Sequence, residues 1–291
     1  MEQSLQSKQI PISKKLEENK KLLEEKLGIG VSFDVIYRDM RFAGRDFAII
    51  YLNGFAKDNI TTVILKELAD LKREDLAPSP IEHLVKTFIP HIQVETVDTL
   101  DQLIGKLLTG QVAIMVDQTE KTILVDAKEY PSRTPQEPDT ERVVRGSRDG
   151  FTETILTNTV LTRRRIRDPQ LRMEIMQVGR RSKTYICIGY LKDVADPALV
   201  ETIRKKLKQI QVDGLPMAEK SVEEFIVGKN WHPFPLVRYT ERPDVAATHI
   251  LEGHVIIYVD TSPSVMITPT TYFHDVQHAE EYRQNPVIGG Y

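Results

Sequence analysis

Three groupings in this 291-residue sequence are of residue types that can do chemistry. His274 and His278 stand four apart and Glu281 follows three later, so on a helix all three would share one face, within reach of a divalent cation. A metalloprotease helix carries glutamate beside its first histidine; here Asp275 stands in that place and no further ligand beyond these is obvious, so the spacing reads as exposed histidines on a terminal helix. The run Arg145-Gly146-Ser147-Arg148-Asp149-Gly150 precedes a helical pattern, and its arginines and amides suit phosphate or carboxylate. The plainer reading is a structural turn with ion pairs. The run lacks P-loop spacing and the chain has no G-x-G-x-x-G, so nucleotide binding is not supported. Cys187, the one cysteine, lies in Tyr185-Ile186-Cys187-Ile188, the setting of a small buried hydrophobe rather than a nucleophile. With no G-x-S-x-G elbow and no cysteine–histidine pairing, nothing speaks for an enzyme, and no cofactor or metal is expected.

Composition narrows the class further. Apolar residues make up 41% and charged residues 28%, as in ordinary globular proteins, and the length suggests about two domains. The net charge of −3 argues against a chain whose task is to coat nucleic acid, which needs a strongly basic field. A single cysteine allows no intrachain disulfide and fits a reducing compartment. The apolar runs are strand-length and the start is polar, so the expectation is a soluble intracellular piece without a membrane span or signal peptide.

The charge is uneven. Residues 141–183 carry +6 and residues 184–291 carry −4. Arg163, Arg164, Arg165 and Arg167 end a pattern expected to be helical from 151 to 166, where the negative end of a helix dipole favours cations. A solvated helix end would explain them. Yet Phe151, Ile155, Leu156, Val160 and Leu161 spread around the helix axis, so the helix should be touched on several sides. Arg145, Arg148, Arg163, Arg164, Arg165, Arg167, Arg180 and Arg181 are therefore candidates for a contact surface, between lobes or between chains.

The elements that must position these groups follow from periodicity. Ser13 is placed to cap a helix that stops at Gly28, with Leu16, Leu23 and Leu27 as its buried stripe. Strands are expected over 33–40 and 46–52, helices over 59–71, 81–89 and from Val97 to near Gly110, then strands over 111–116 and 121–126. Residues 129–140, with three prolines and no large aliphatic residue, read as a linker. Beyond it come strands over 171–178 and 184–191, helices over 197–207, 221–227 and 242–251, and a hairpin of 254–260 with 264–268. The organisation is an N-terminal helix (1–30), a first α/β lobe (31–128), the linker, a second α/β lobe (141–273) and a final segment (274–291).

The two halves rhyme. Tyr51-Leu52, Ala56 and Leu68 match Tyr190-Leu191, Ala195 and Leu207 at an offset of 139, while Gly110, Val112, Ile114, Val116 and Asp117 match Gly253, Val255, Ile257, Val259 and Asp260 at 143. Two alignments in the same order argue for duplication. The expected fold class is α/β, mixed sheets with helices, as two related lobes in tandem with a peripheral N-terminal helix. Asp117 and Asp260 read as turn residues.

Several ordered motifs carry a resemblance. They are the run from Glu141 to Glu153, Asn158, Arg163-Arg164-Arg165-Ile166-Arg167, Gly179-Arg180-Arg181-Ser182, Glu223-Glu224-Phe225-Ile226, Pro233-Phe234-Pro235, Thr240-Glu241-Arg242-Pro243-Asp244 and Val259-Asp260-Thr261-Ser262-Pro263. Together with Tyr51-Leu52-Asn53-Gly54 they resemble the GerA-type A subunits of spore germination receptors. Ser147 stands where relatives usually have proline, and the ending from Phe273 to Tyr282 looks more like a sporulation-stage paralogue than a receptor subunit. The resemblance implies the soluble N-terminal region of a spore inner-membrane protein, on the cytoplasmic, spore-core side, preceding membrane helices with an ion-conducting role. It implies two lobes with a cleft, as in transporter substrate-binding proteins, and assembly both into a homo-oligomer and with other spore germination membrane proteins. His274, His278, Glu281 and Tyr282 then become candidates for coupling to the membrane segments that would follow residue 291. The function expected is subunit assembly and signal transmission; the alternative is a receptor region binding a small-molecule germinant between its lobes.

Overall fold

A computed structural model describes residues 9–56, 58–77, 79–89, 93–129, 149–210, 213, 218–227 and 237–269. The chain divides into two compact units, Met1–Pro131 with Arg167–Pro169, and Ser132–Ile166 with Gln170–Tyr291.

The first unit is built on five strands, β1 (Val35–Phe42), β2 (Arg45–Leu52), β3 (Val94–Val97), β4 (Val112–Val116) and β5 (Thr122–Val125), in the order β1-β2-β4-β5-β3. Every neighbouring pair is antiparallel. Its helices are α1 (Leu16–Leu27), α2 (Asp58–Ala69), the short α3 (Pro80–His83) and α4 (Leu100–Leu108). The second unit repeats the plan with β6 (Leu171–Val178), β7 (Thr184–Leu191), β8 (Arg238–Thr240), β9 (Val255–Val259) and β10 (Val265–Thr268), in the order β6-β7-β9-β10-β8. Its helices are α5 (Ile155–Arg165), α6 (Pro197–Lys208), α7 (Ala218–Val227) and α8 (Pro243–Leu251).

The repeat holds to the register. Phe47 pairs with Val116 and Ile186 with Val259; Val112 pairs with Val125 and Val255 with Thr268; Val97 pairs with Thr122 and Thr240 with Val265. These pairings superpose under the two offsets read from the sequence. A one-residue slip would turn every side chain to the wrong face, so agreement across three strand pairs is a strong sign of duplication. Backbone conformation follows suit: Gly110 and Gly253 have φ of 98° and 94°, and Gln118 and Thr261 have φ of 63° and 72°.

Helices cover both faces of each sheet, which explains why β4 and β9 are buried along their whole length and read as unbroken apolar runs. In the second unit Ile186, Ile188 and Tyr190 pack with Val200, Ile203 and Leu207 of α6 and Val222 and Ile226 of α7. α5 and α8 lie against β7 and β9.

Several expectations are corrected. Residues 81–89 are not one α-helix: α3 runs into a π-helical turn, Leu84–Phe88. The helix expected from 151 begins at Ile155, because Thr152 and Thr154 form the turn that precedes it. The N-cap of α1 is Lys15 rather than Ser13, whose hydroxyl instead accepts from the Lys15 amide (3.2 Å) and donates to Glu18 (2.6 Å). The short strands β3 and β8 were not expected; Val97 ends the former rather than starting α4.

Candidate functional site

α5 carries three of the eight candidate arginines, Arg163, Arg164 and Arg165, and the same clasp holds its start as holds α1. The Asn158 side-chain oxygen accepts from the Thr152 amide (2.7 Å), and its amide donates to the carbonyls of Thr152 and Ser262. In the first unit Asn19 does the same with both backbone groups of Ser13. Asp260 accepts from the Ile155 amide (3.2 Å), as Asp117 does from Leu16 (3.3 Å). The matched acids are therefore more than turn residues: each places a carboxylate at the positive end of a helix and answers one of its orphan amides.

This clasp fixes where the arginines go. Arg163 is 1% exposed and donates to the Leu171 carbonyl at 3.2 Å, so its side chain is committed inside its own unit and cannot meet a neighbouring subunit. Arg165 is held by Leu161 and, at 2.6 Å, by the carboxylate of Asp149. Arg164, Arg167, Arg180 and Arg181 are exposed. Arg180 pairs with Asp213 at 2.6 Å. The expectation that α5 is touched on several sides holds, and its partners are β7, β9 and α8 of the same unit. Arg145, Arg148, His274, His278, Glu281 and Tyr282 lie outside the described residues, as does most of the segment 129–140. Cys187 is buried.

A second charged cluster was not found by sequence reasoning. Arg204 of α6 makes a bidentate contact with Glu174 of β6 (2.8 and 2.9 Å), and the Tyr190 hydroxyl also donates to Glu174. Burial pushes the Glu174 carboxyl up, but the hydrogen bonds from Arg204 and Tyr190 outweigh it and hold the carboxyl below its ordinary range. Burial and the bond to Glu174 push the Tyr190 phenol up. The available signal was a glutamate interrupting the apolar strand pattern of 171–178. A depressed carboxyl contributes stability above its unfolded value, and that contribution fades as pH falls through the folded value. Arg204→Met is therefore expected to cost about 2 kcal/mol at pH 7, a part-buried charged hydrogen-bond pair. The gap from wild type should narrow below about pH 4, which urea unfolding at pH 7 and pH 3.5 would check.

Among the described residues no group of three His, Cys, Asp or Glu side chains is placed to hold a metal, and no helix is long and apolar enough to cross a membrane. The arrangement is one of internal clasps and exposed cations.

Residues 21–291 match the family model described as Bacillus/Clostridium GerA spore germination protein. The chain belongs to this family. It is 50% identical to stage V sporulation protein AF of Bacillus subtilis (strain 168) over 93% of its length and 55% of that protein's. It is 32% identical to the membrane protein YfkQ of the same organism over 94% of its length and 52% of that protein's. The chain thus spans about half the length of these curated relatives. The GerA-family fold is also seen in the crystal structure of the N-terminal domain of the A subunit of the Bacillus megaterium spore germinant receptor GerK3, with a TM-score of 0.70 and 28% identity over 91% of this chain and 98% of that one. The fold class and the family resemblance expected from sequence are both borne out, and the 50% identity to stage V sporulation protein AF bears out the likeness to a sporulation-stage paralogue.

Proposed function

We propose that this GerA-family chain is the non-enzymatic assembly and signal-transmission region of a spore germination membrane protein. In this reading the second lobe, residues 141–273, contacts neighbouring subunits. Residues 274–291, with His274, His278, Glu281 and Tyr282, lead towards an ion-conducting membrane domain in the spore inner membrane, and the lobes face the spore core. The relative YfkQ is a membrane protein, and the chain spans about half the length of that relative, which supports this reading. The observation that carries it is the division of labour on α5 and just after it: Arg163 and Arg165 are taken up internally, leaving Arg164 and Arg167 presented on the surface. Surface arginines are over-represented at interfaces because their planar fork binds carboxylates in pairs. Signal transmission then requires those contacts to differ between two states, since equal contacts bias nothing.

The test is charge reversal at the two exposed sites. Arg164→Glu with Arg167→Glu in the full-length protein is expected to abolish cross-linking between subunits in spores and to slow germination severalfold, with no loss of fold. Wild-type assembly and germination in that variant would overturn the proposal.

A second reading, that the region binds a small polar germinant, is favoured by the solved relative being part of a germinant receptor. It requires amino acids or sugars to raise the melting temperature; a ligand at a hundred times its Kd adds about 2.7 kcal/mol.

A further inference from the structure

The duplication offers an internal control for a site that only one unit carries. At the β6–β7 turn of the second unit, the segment just past α6 supplies its own carboxylate: Asp213 pairs with Arg180 at 2.6 Å. The Asp213 carbonyl accepts from the amides of Arg181 (2.8 Å) and Ser182 (3.2 Å). Arg180 and two of the turn's amides are answered from within the chain, while Arg181 and Lys183 of the same turn are exposed. Asp213 follows the buried Ile210 by three residues.

In the first unit the matching segment follows the buried Leu71, the counterpart of Ile210, and there the residue brought to the turn is Arg73. Its guanidinium lies against Gly44 of the β1–β2 turn, so close that a Cβ on Gly44 would stand 3.0 Å from Nε and 3.2 Å from Nη2. Gly44 has φ of 78°, a left-handed conformation that favours glycine, and a side chain there would press on the Arg73 guanidinium. Arg41 reaches the Gly44 carbonyl (3.4 Å) from the same turn. Arg73, Arg41 and Arg45 line one open cavity of about 370 Å³ with Asp46 and Asp117. Both acids are engaged, Asp46 with Arg41 at 3.6 Å and Asp117 with the start of α1. Arg45 and Arg73 have no ion pair or hydrogen-bonding carboxylate among the described residues. Asp213 falls on Glu74 at the 139-residue offset, but in the first unit it is the preceding Arg73 that reaches the turn, so three arginines face two acids and the cavity lining is left net positive.

We propose that this cavity binds a phosphate group, with Arg73 and Arg45 as its principal donors and Arg41 at the rim. Guanidinium forks match the geometry of phosphate oxygens and form charge-assisted bonds with them. Three arginines against two acids leave the lining at +1, which a singly charged phosphate or phosphate ester matches while offering oxygens to both the Arg45 and the Arg73 forks. The inference does not rest on the assembly reading above, and it concerns the other unit.

The test uses this chain as it stands. Titration with inorganic phosphate at low ionic strength, followed by amide NMR, is expected to shift residues 41–46, 73 and 117–118 saturably. Arg73→Asp, which installs the acid that the second unit uses, is expected to weaken binding by about tenfold or more. Arg45→Gln is expected to weaken it severalfold, with the melting temperature of both variants unchanged or raised. Asp213→Asn should leave these shifts as they are. A parallel arm sediments the chain with phosphatidylcholine vesicles containing phosphatidic acid. Saturation by inorganic phosphate assigns a free or ester phosphate, and sensitivity of vesicle binding alone to Arg73→Asp assigns a lipid headgroup; either supports the site. Equal binding by wild type and Arg73→Asp in both arms, shifts mapping elsewhere, or stronger binding of succinate than of phosphate would overturn it.

Discussion

Replacing Asn158 with alanine is expected to destabilise the second unit by about 2–4 kcal/mol, and Asn19→Ala to do the same to the first. Asn158 is 1% exposed and answers both backbone groups of Thr152 and, at 3.4 Å, the carbonyl of Ser262. Asn19, also 1% exposed, answers both backbone groups of Ser13. Removing the side chain strands a backbone donor and an acceptor where water has little access, and each such group costs about 1–3 kcal/mol. Asn158→Asp is the informative companion. It keeps the acceptor for the Thr152 amide and loses the donor, while setting a second negative charge near Asp260, so it should recover little. Ser13→Ala is the mild control, because the clasp uses the backbone of Ser13; its hydroxyl serves only Lys15 and Glu18 at the surface. Hydrogen exchange at β7 and β9 reads the second unit, and at β2 and β4 the first. Equal exchange in Asn158→Ala and wild type would show that the clasp is dispensable.

Why part of this was legible in sequence and part was not is a matter of range. The central strands carry their own signal: β4 and β9 are continuous apolar runs closed by a glycine before and an aspartate after, and they were placed within a residue or two at each end. The duplication was visible because paired strands conserve register, so matching residues recur at fixed offsets even where identities have drifted. The edge strands β3 and β8 have four and three residues of mixed polarity, too short for alternation to be told from chance. Asn19 and Asn158 sit at the 139-residue offset, yet a polar residue on a helix looks solvent-facing until the turn it closes is seen. Arg163 misled for a related reason. Three consecutive arginines at a helix end look like a surface feature, but successive helical positions point about 100° apart, so one faced inward to the Leu171 carbonyl while its neighbour stayed in solvent. Glu174 and Arg204 are thirty residues apart, beyond any local pattern.

Truncating Leu68 or Leu207 to alanine is expected to cost about 3–4 kcal/mol in each case, within the range for fully buried leucines. The two occupy the same turn of the corresponding helices α2 and α6 and are 0% and 1% exposed. Leu68 lies in a cluster with Ile64, Phe47, Ile114 and Val116, and Leu207 in one with Ile203, Ile186, Ile257 and Val259, so the lining matches position for position. Collapse around a cavity depends on that lining, which is why the two costs should agree within about 1 kcal/mol although the wider sequences differ. Each substitution should speed exchange in its own sheet, since the two clusters share no residue. Val63→Ala, on the exposed side of α2, should stay within about 0.5 kcal/mol. A large disparity between the leucines would mean that one unit repacks freely. In that case the common register would be inherited geometry alone, with no shared energetic design behind it.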